Sequence, residues 1–478
     1  MLSHKTLLIV TLLIVASALS AWSVTDSYFG NRVSTLDARI YGMGSAGTFN
    51  NMGVFGIADN PANITLMQKN YGLSANAFLN RNEDNRALPF WSQFDYYLDD
   101  AVYSSNLHLY DNYAGAGYAK HSFGNIGIGL GAYHKPLLNF EADYSEDVRN
   151  NRNTNDDVYA EQIALNSIRG TGTLYQSGLA ASFGYKLGDY SNVNLGFDFS
   201  MLDNDISREK AIRWTDFAKE AVAPKTLPDM TETDAYNIRG NMMKIGVAAQ
   251  LNTRFGVAAT YIPKATLEKE GSYSYKRDAY GTTAEDLINS TIKEDYIMPT
   301  EIRLGFTYMP RNVMRTVFNM DVEYVMYSDI HERYDDMVNF YAGVEHHVVN
   351  RIPFRLGFQA VNNQFLIQES AYDLNNNLIT VYHVNKVVNP MITAGSSVEL
   401  MRNVVLDLGF GYTWREYDAM DMFGDAYYND KTYTGASTNS ANIWTNPQYV
   451  TLVTRGWDNP DKVRENNISL NAGISFTW

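Results

Sequence analysis

Histidine and carboxylate side chains are where this chain could do chemistry, because it contains no cysteine. The absence of thiols removes disulfides, thiolate metal sites and cysteine nucleophiles together. The eight histidines are His4, His108, His121, His134, His331, His346, His347 and His383. None stands in a metal-ligand spacing or beside a serine motif of the hydrolase kind. His346 and His347 are neighbours on an alternating segment, so their rings point to opposite faces and cannot chelate together. Asp418, Asp421, Asp425 and Asp430 gather near the C-terminus without the regular Asp-x-Asp-x-Asp-Gly frame of a calcium loop. They read as a solvated acidic loop. The residues therefore predict no enzyme, no metal and no cofactor. With 53 acids against 38 bases and a net charge of −15, no basic field exists to hold nucleic acid.

The elements that carry these residues begin with an export signal. Lys5 precedes the apolar run Leu7–Val15 and the small residues Ala16, Ser17 and Ala18. A basic start, a core of about 9–13 apolar residues and a small-residue cut site describe a secretory signal peptide. Residues 1–21 are read as that signal, with cleavage after Ser20 or Ala21, and no cysteine follows to carry a lipid.

Beyond residue 70 the chain alternates with period two. Val193, Leu195, Phe197, Phe199 and Met201 oppose Asn194, Gly196, Asp198 and Ser200. Val404, Leu406, Leu408, Phe410, Tyr412 and Trp414 oppose Val405, Asp407, Gly409, Gly411 and Thr413. This is the strand template. The segments run about 10–13 residues, close to a tilted bilayer crossing. Tyr133, Tyr185, Tyr261, Tyr308, Tyr412 and Trp414 are expected in an aromatic girdle, while the opposite faces suit a lumen. Fourteen segments can be counted: 70–80, 113–121, 124–134, 174–187, 191–203, 239–251, 255–268, 298–309, 314–328, 339–349, 353–362, 389–400, 403–415 and 467–478. Short turns alternate with long polar loops at 81–112, 135–173, 204–238, 269–297, 329–338, 363–388 and 417–466. The expected fold is all-β, a transmembrane antiparallel β-barrel of about fourteen strands with its long loops outside. Residues 70–478 form it, in the outer membrane of a Gram-negative-type bacterium. The last strand ends Phe476-Thr477-Trp478. Phe476 and Trp478 are assigned as the signal read by the barrel-insertion machinery.

Residues 22–69 do not alternate, and are expected to form a hatch inside the lumen. They contain Ala38-Arg39-Ile40-Tyr41-Gly42-Met43-Gly44-Ser45-Ala46 and then Asn60-Pro61-Ala62. This pairing resembles the amino-terminal hatch of the long-chain fatty acid transporter family, the FadL/TodX-type outer-membrane channels. The matching positions are Arg39, Gly42, Met43, Gly44, Asn60, Pro61 and Ala62. Asn63 and Ile64 stand where the family usually has Gly-Leu. The resemblance implies a fourteen-stranded barrel plugged by the hatch, and outer loops whose helices form an apolar groove for ligand.

In loop 204–238 the residues Ile206, Ala211, Ile212, Trp214, Phe217 and Ala218 fall on one helical stripe. In loop 269–297 Thr282 and Glu285 have capping-box spacing ahead of Leu287 and Ile288. Ile212, Trp214, Phe217, Leu287 and Ile288 are the candidate ligand-binding residues. The stripes could equally fold onto the barrel rim. The leading functional reading is a channel for small hydrophobic compounds, such as long-chain fatty acids or hydrocarbons, with binding and passage but no covalent step. The rival is a structural or secretion-partner barrel whose loops bind protein or glycan. Outer-membrane lipid is a partner in both. The inward charges Asp198, Lys244, Glu301, Arg303, Asp321, Glu323, Arg355 and Asp407 are expected to brace the hatch by ion pairs.

Overall fold

The computed structural model describes residues 24–33, 35–91, 97–149, 162–221, 227–279, 284–349, 352–372, 378–419, 422–423 and 461–478. The expected signal segment, Thr282 and the acids Asp421, Asp425 and Asp430 lie outside the described residues.

Among the described residues, eighteen long strands follow a short-helical N-terminal segment. They are β1 (Tyr71–Trp91), β2 (Tyr97–Phe123), β3 (Ile126–Asn139), β4 (Ala142–Arg149), β5 (Gln162–Thr171) and β6 (Thr173–Gly188). Next come β7 (Ser191–Trp214), β8 (Met230–Gln250), β9 (Phe255–Ile262), β10 (Ala265–Arg277), β11 (Asp286–Met298) and β12 (Thr300–Tyr308). The last are β13 (Val317–Met326), β14 (Met337–Val349), β15 (Ile352–Tyr372), β16 (Leu378–Met401), β17 (Val404–Ala419) and β18 (Asp461–Thr477). Fourteen of them close the barrel: β1, β2, β3, β6, β7, β8, β9 and then β12 to β18, which pairs back onto β1. Closure pairs the last strand with the first, so the sheet has no free edge strand. The hairpins β4–β5 and β10–β11 continue the wall beyond its long-loop end, pairing with the outer halves of β7 and β8.

Alternation decides which side faces lipid. On β7, Leu195, Phe197, Phe199 and Met201 are exposed outward, whereas Asn194, Asp198 and Ser200 are buried inside. The pattern is a soluble protein turned inside out, and it is what a water-free exterior requires. Tyr185, Tyr261 and Trp414 take outward positions, as expected of a girdle. Tyr133 does not. It shares parity with Lys135, points inward, and its hydroxyl bonds the Asp198 carboxylate.

The long loops are a second correction. Much of 81–112, 135–173, 204–238, 269–297 and 363–388 is strand, so the ladders rise well past the apolar belt. The helix expected along 206–222 is confined to α4 (Asp216–Ala221), and β7 runs through Ile212 to Trp214. Residues 207–212 lie between β5 and β8, and Arg213 and Trp214 continue the ladder with β5, so backbone partners outweigh a helical stripe. The same holds beyond Glu285, where Leu287 and Ile288 lie in β11 opposite Lys276 and Tyr275.

Candidate functional site

Residues 24–69 fold inside the barrel, which makes them a hatch. Three single turns shape them: α1 (Ala38–Tyr41), α2 (Gly56–Asp59) and α3 (Asn63–Leu66). Asp37 caps α1 by accepting from the N–H groups of Arg39 and Ile40. Burial pushes its carboxyl up to about 6.

Arg39 is the central brace. Its Nε and Nη2 donate to both oxygens of Glu345 at 2.9 and 3.1 Å, a bidentate fork. Glu345 also accepts from Arg355 Nε at 2.7 Å, and Arg355 Nη1 reaches Asp407 at 3.0 Å. Elsewhere Arg32 pairs with Glu301 at 2.7 Å and Glu323 at 3.0 Å. Thr48 donates twice to Asp321, which Arg303 also holds. Lys244 donates to the Ala58 carbonyl at 2.6 Å. The inward charges therefore hold the hatch from several sides.

The motif residues fit this arrangement. Gly44 has φ +65° and its N–H donates to Thr393, while a side chain on Gly343 or Gly357 would overlap the Met43–Gly44 backbone. Asn60 Nδ2 bridges the carbonyls of Thr48 and Val247, and its Oδ1 accepts from Ala62 N–H. Pro61 and Ala62 lie against Gly196 of the wall. At the other end of the chain Trp478 exchanges both backbone hydrogen bonds with Tyr71 and stacks on its ring, so Phe476 and Trp478 face outward at the closing seam.

A cavity of about 190 Å³ lies above the hatch. Arg32, Lys135, Lys244, Arg303 and Arg415 line it together with Asp26, Asp59, Glu301 and Glu323. Phe78, Leu137, Leu138, Met242, Ile262 and Met391 line it as well, so the chamber sets charges of both signs beside apolar surface.

The wall is interrupted between β2 and β3. The ladder between β2 and β3 runs from Phe123↔Ile126 to Gly115↔His134 and stops there. Pro136 has no N–H to donate, and the β3–β6 register shifts between Pro136 and Leu138. The end of β3 then pairs with Asn31 and Arg32 of the hatch in place of β2. Val33 N–H adds a bond to the Leu137 carbonyl at 3.0 Å. Higher up, side chains rejoin the two walls. Asn106 bonds Ser145 twice, at 3.0 and 2.9 Å, and His108 Nδ1 lies 3.3 Å from Asp143. Residues 109–114 thus face 135–141 across a window, with Leu109 and Tyr113 exposed to the outside. Neither the motif nor the alternation singled out this place; Pro136, just past the segment counted over 124–134, was its one sequence signal, and the strand runs on through it to Asn139.

The candidate capture residues divide. Ile212 and Trp214 are buried in a cluster with Val24, Tyr144, Ile163 and Ile168. Trp214 Nε1 donates to the Pro228 carbonyl at 2.8 Å. Phe217, Leu287 and Ile288 are exposed, and the latter two stand on the separate β10–β11 hairpin.

No family model matches the sequence, and no curated protein is similar to it in sequence. Solved structures are similar in shape. A Pseudomonas aeruginosa FadL homologue superposes with a TM-score of 0.56 at 11% identity, covering 94% of this chain and 99% of that one. The toluene transporter TodX of Pseudomonas putida gives 0.56 at 12% identity over 94% and 99% of the two chains. The monoaromatic hydrocarbon channel CymD gives 0.54 at 12% identity over the same shares. The fold is that of the FadL-type channels. At such low identity the shared FadL-type architecture, a fourteen-stranded barrel with an internal hatch, is what the likeness carries.

Proposed function

We propose that this chain is an outer-membrane channel that releases small hydrophobic compounds sideways through the window between β2 and β3. The observation that carries the reading is the ladder break at Pro136, beside outward Leu107, Leu109 and Tyr113. A hydrophobic solute that must avoid the charged lumen gains by leaving where the wall opens onto hydrocarbon. The neighbours' printed descriptions, a FadL homologue and channels for toluene and other monoaromatic hydrocarbons, support the same class. The short-turn end is then periplasmic and the extended hairpins are extracellular.

The test is channel-dependent entry of toluene or dodecane into membrane vesicles. Pro136→Val restores the missing N–H and lets β2 and β3 pair further. It is expected to remove most of that entry while leaving a heat-modifiable barrel. Entry at the wild-type rate through a Pro136→Val barrel would argue for a route through the lumen.

Capture is assigned to the exposed outer residues Phe217, Leu287 and Ile288, with Ile212 and Trp214 packed below the α4 turn that carries Phe217. Burying a ring against ligand is worth about 1.5–3 kcal/mol, so Phe217→Ala should weaken binding of a long-chain detergent roughly 10- to 100-fold. Trp214→Ala should act first on stability. Truncating a buried Trp costs about 3–5 kcal/mol, which should appear as faster hydrogen exchange in β5 and β7. The rival scaffold reading draws on the charges that line the chamber and on the extended hairpins. A barrel that admits none of these solutes but retains a protein or glycan on its hairpins would support that reading.

A further inference from the structure

Three buried amides on the inner wall have nothing to bond. Asn80, Asn112 and Asn471 are 0%, 1% and 0% exposed, and neither the oxygen nor the nitrogen of any of the three has a hydrogen-bond partner. They form one patch. Asn112 on β2 and Asn471 on β18 are both register partners of Phe78 on β1, and Asn80 follows two residues later on the same face. Phe78 also lines the chamber above the hatch, and Asn112 stands just inside the window. Buried polar groups are nearly always paired, so three together, all with donor and acceptor unused, call for a ligand or a function.

The outer side of the same window is acidic. Asp111 is exposed between Leu109 and Tyr113, and Glu141, half-buried at the turn after β3, lies within electrostatic reach of it. Among the described residues no lysine or arginine forms a salt bridge with either acid; the third carboxylate, Asp143, lies 3.3 Å from His108 Nδ1 and opposite Arg169 in the β4–β5 register. A carboxylate ligand would meet like charge here, close to a medium that screens poorly. A hydroxyl both donates and accepts, as a carboxamide does, and so can satisfy the amide patch from within.

We propose that this window selects uncharged hydrophobic compounds bearing a hydroxyl group and rejects carboxylates, with Asn80, Asn112 and Asn471 binding the hydroxyl beside Phe78 and with Asp111 and Glu141 excluding anions. The inference rests on the lateral-channel reading and names its substrate class.

The experiment compares entry of dodecane, 1-dodecanol and laurate at pH 8 into proteoliposomes holding the full-length chain. Dodecanol is expected to enter at least roughly tenfold faster than laurate, a difference in affinity for one passage. Asn112→Leu with Asn471→Leu should bring dodecanol down to the dodecane rate and leave dodecane unchanged. Asp111→Asn with Glu141→Gln should raise laurate entry while heat-modifiability shows that the barrel is intact. Dodecane entry with no preference for dodecanol over laurate, or dodecanol entry untouched by the asparagine changes, overturns the inference and leaves the channel reading standing. Failure of all three compounds to enter overturns the channel reading and this inference with it.

Discussion

Removing residues 22–58 while keeping residues 1–21 is expected to leave an inserted barrel with large, weakly selective conductance, where the intact protein conducts little in planar bilayers. About eight strands already enclose a space that side chains can fill, so fourteen leave a lumen that only the hatch closes. The wall should survive the deletion because its own pairs persist. Glu345 keeps Arg355, Asp321 keeps Arg303, and Arg415 keeps Glu465. Glu301 and Glu323 lose Arg32, but they then face water rather than a dry interior. The deletion takes two acids, Asp26 and Asp37, and two bases, Arg32 and Arg39, so the balance of lumen charge is unchanged and weak selectivity follows. It also strips the end of β3 of the partner strand at Asn31–Arg32, so sideways entry of hydrophobic solutes should change as well. Equal conductance from both proteins would mean that residues 22–58 do not close the pore.

Deleting Trp478, or replacing it with Asp, should abolish most insertion without affecting export. Trp478 completes the β18–β1 seam through two backbone bonds to Tyr71, stacks on that ring at 5.5 Å, and lies 4.8 Å from Phe476. An acid at an interfacial position costs little at equilibrium, about 0–1 kcal/mol, so a large loss would reflect recognition during assembly rather than stability of the finished barrel. Trp478→Phe should restore insertion. Heat-modifiable barrel at wild-type level in the Trp478→Asp membranes would remove the C-terminal aromatic from the assembly signal.

The sequence alone was enough to determine the membrane-spanning part, because that part is specified locally. Alternation along β7 or β17 states which residues meet lipid, and the short turns at Gly124, Asn252 and Arg402 mark the returns. The hatch was legible in Arg39, Gly42, Gly44 and Asn60-Pro61-Ala62, where close backbone approach and fixed φ leave few substitutes. What lay above the membrane was misread in detail. The stripe through Ile206, Ile212 and Trp214 fits a helix or an alternating strand, and only β5 and β8 on either side decide for strand. Tyr133 was placed on the wrong face although the alternation of Ile126, Ile128 and Leu130 already sets it with Gly127, Gly129 and Gly131 on the inner side. The window and the amide patch could not be read at all. Pro136 announces a break in pairing, but whether it opens to lipid depends on where β2 goes. Asn80, Asn112 and Asn471 are separated by up to hundreds of residues, and only barrel closure between β18 and β1 brings them around Phe78. Periodicity along a strand is a local property of the chain, whereas juxtaposition across strands exists only once the ladder has closed.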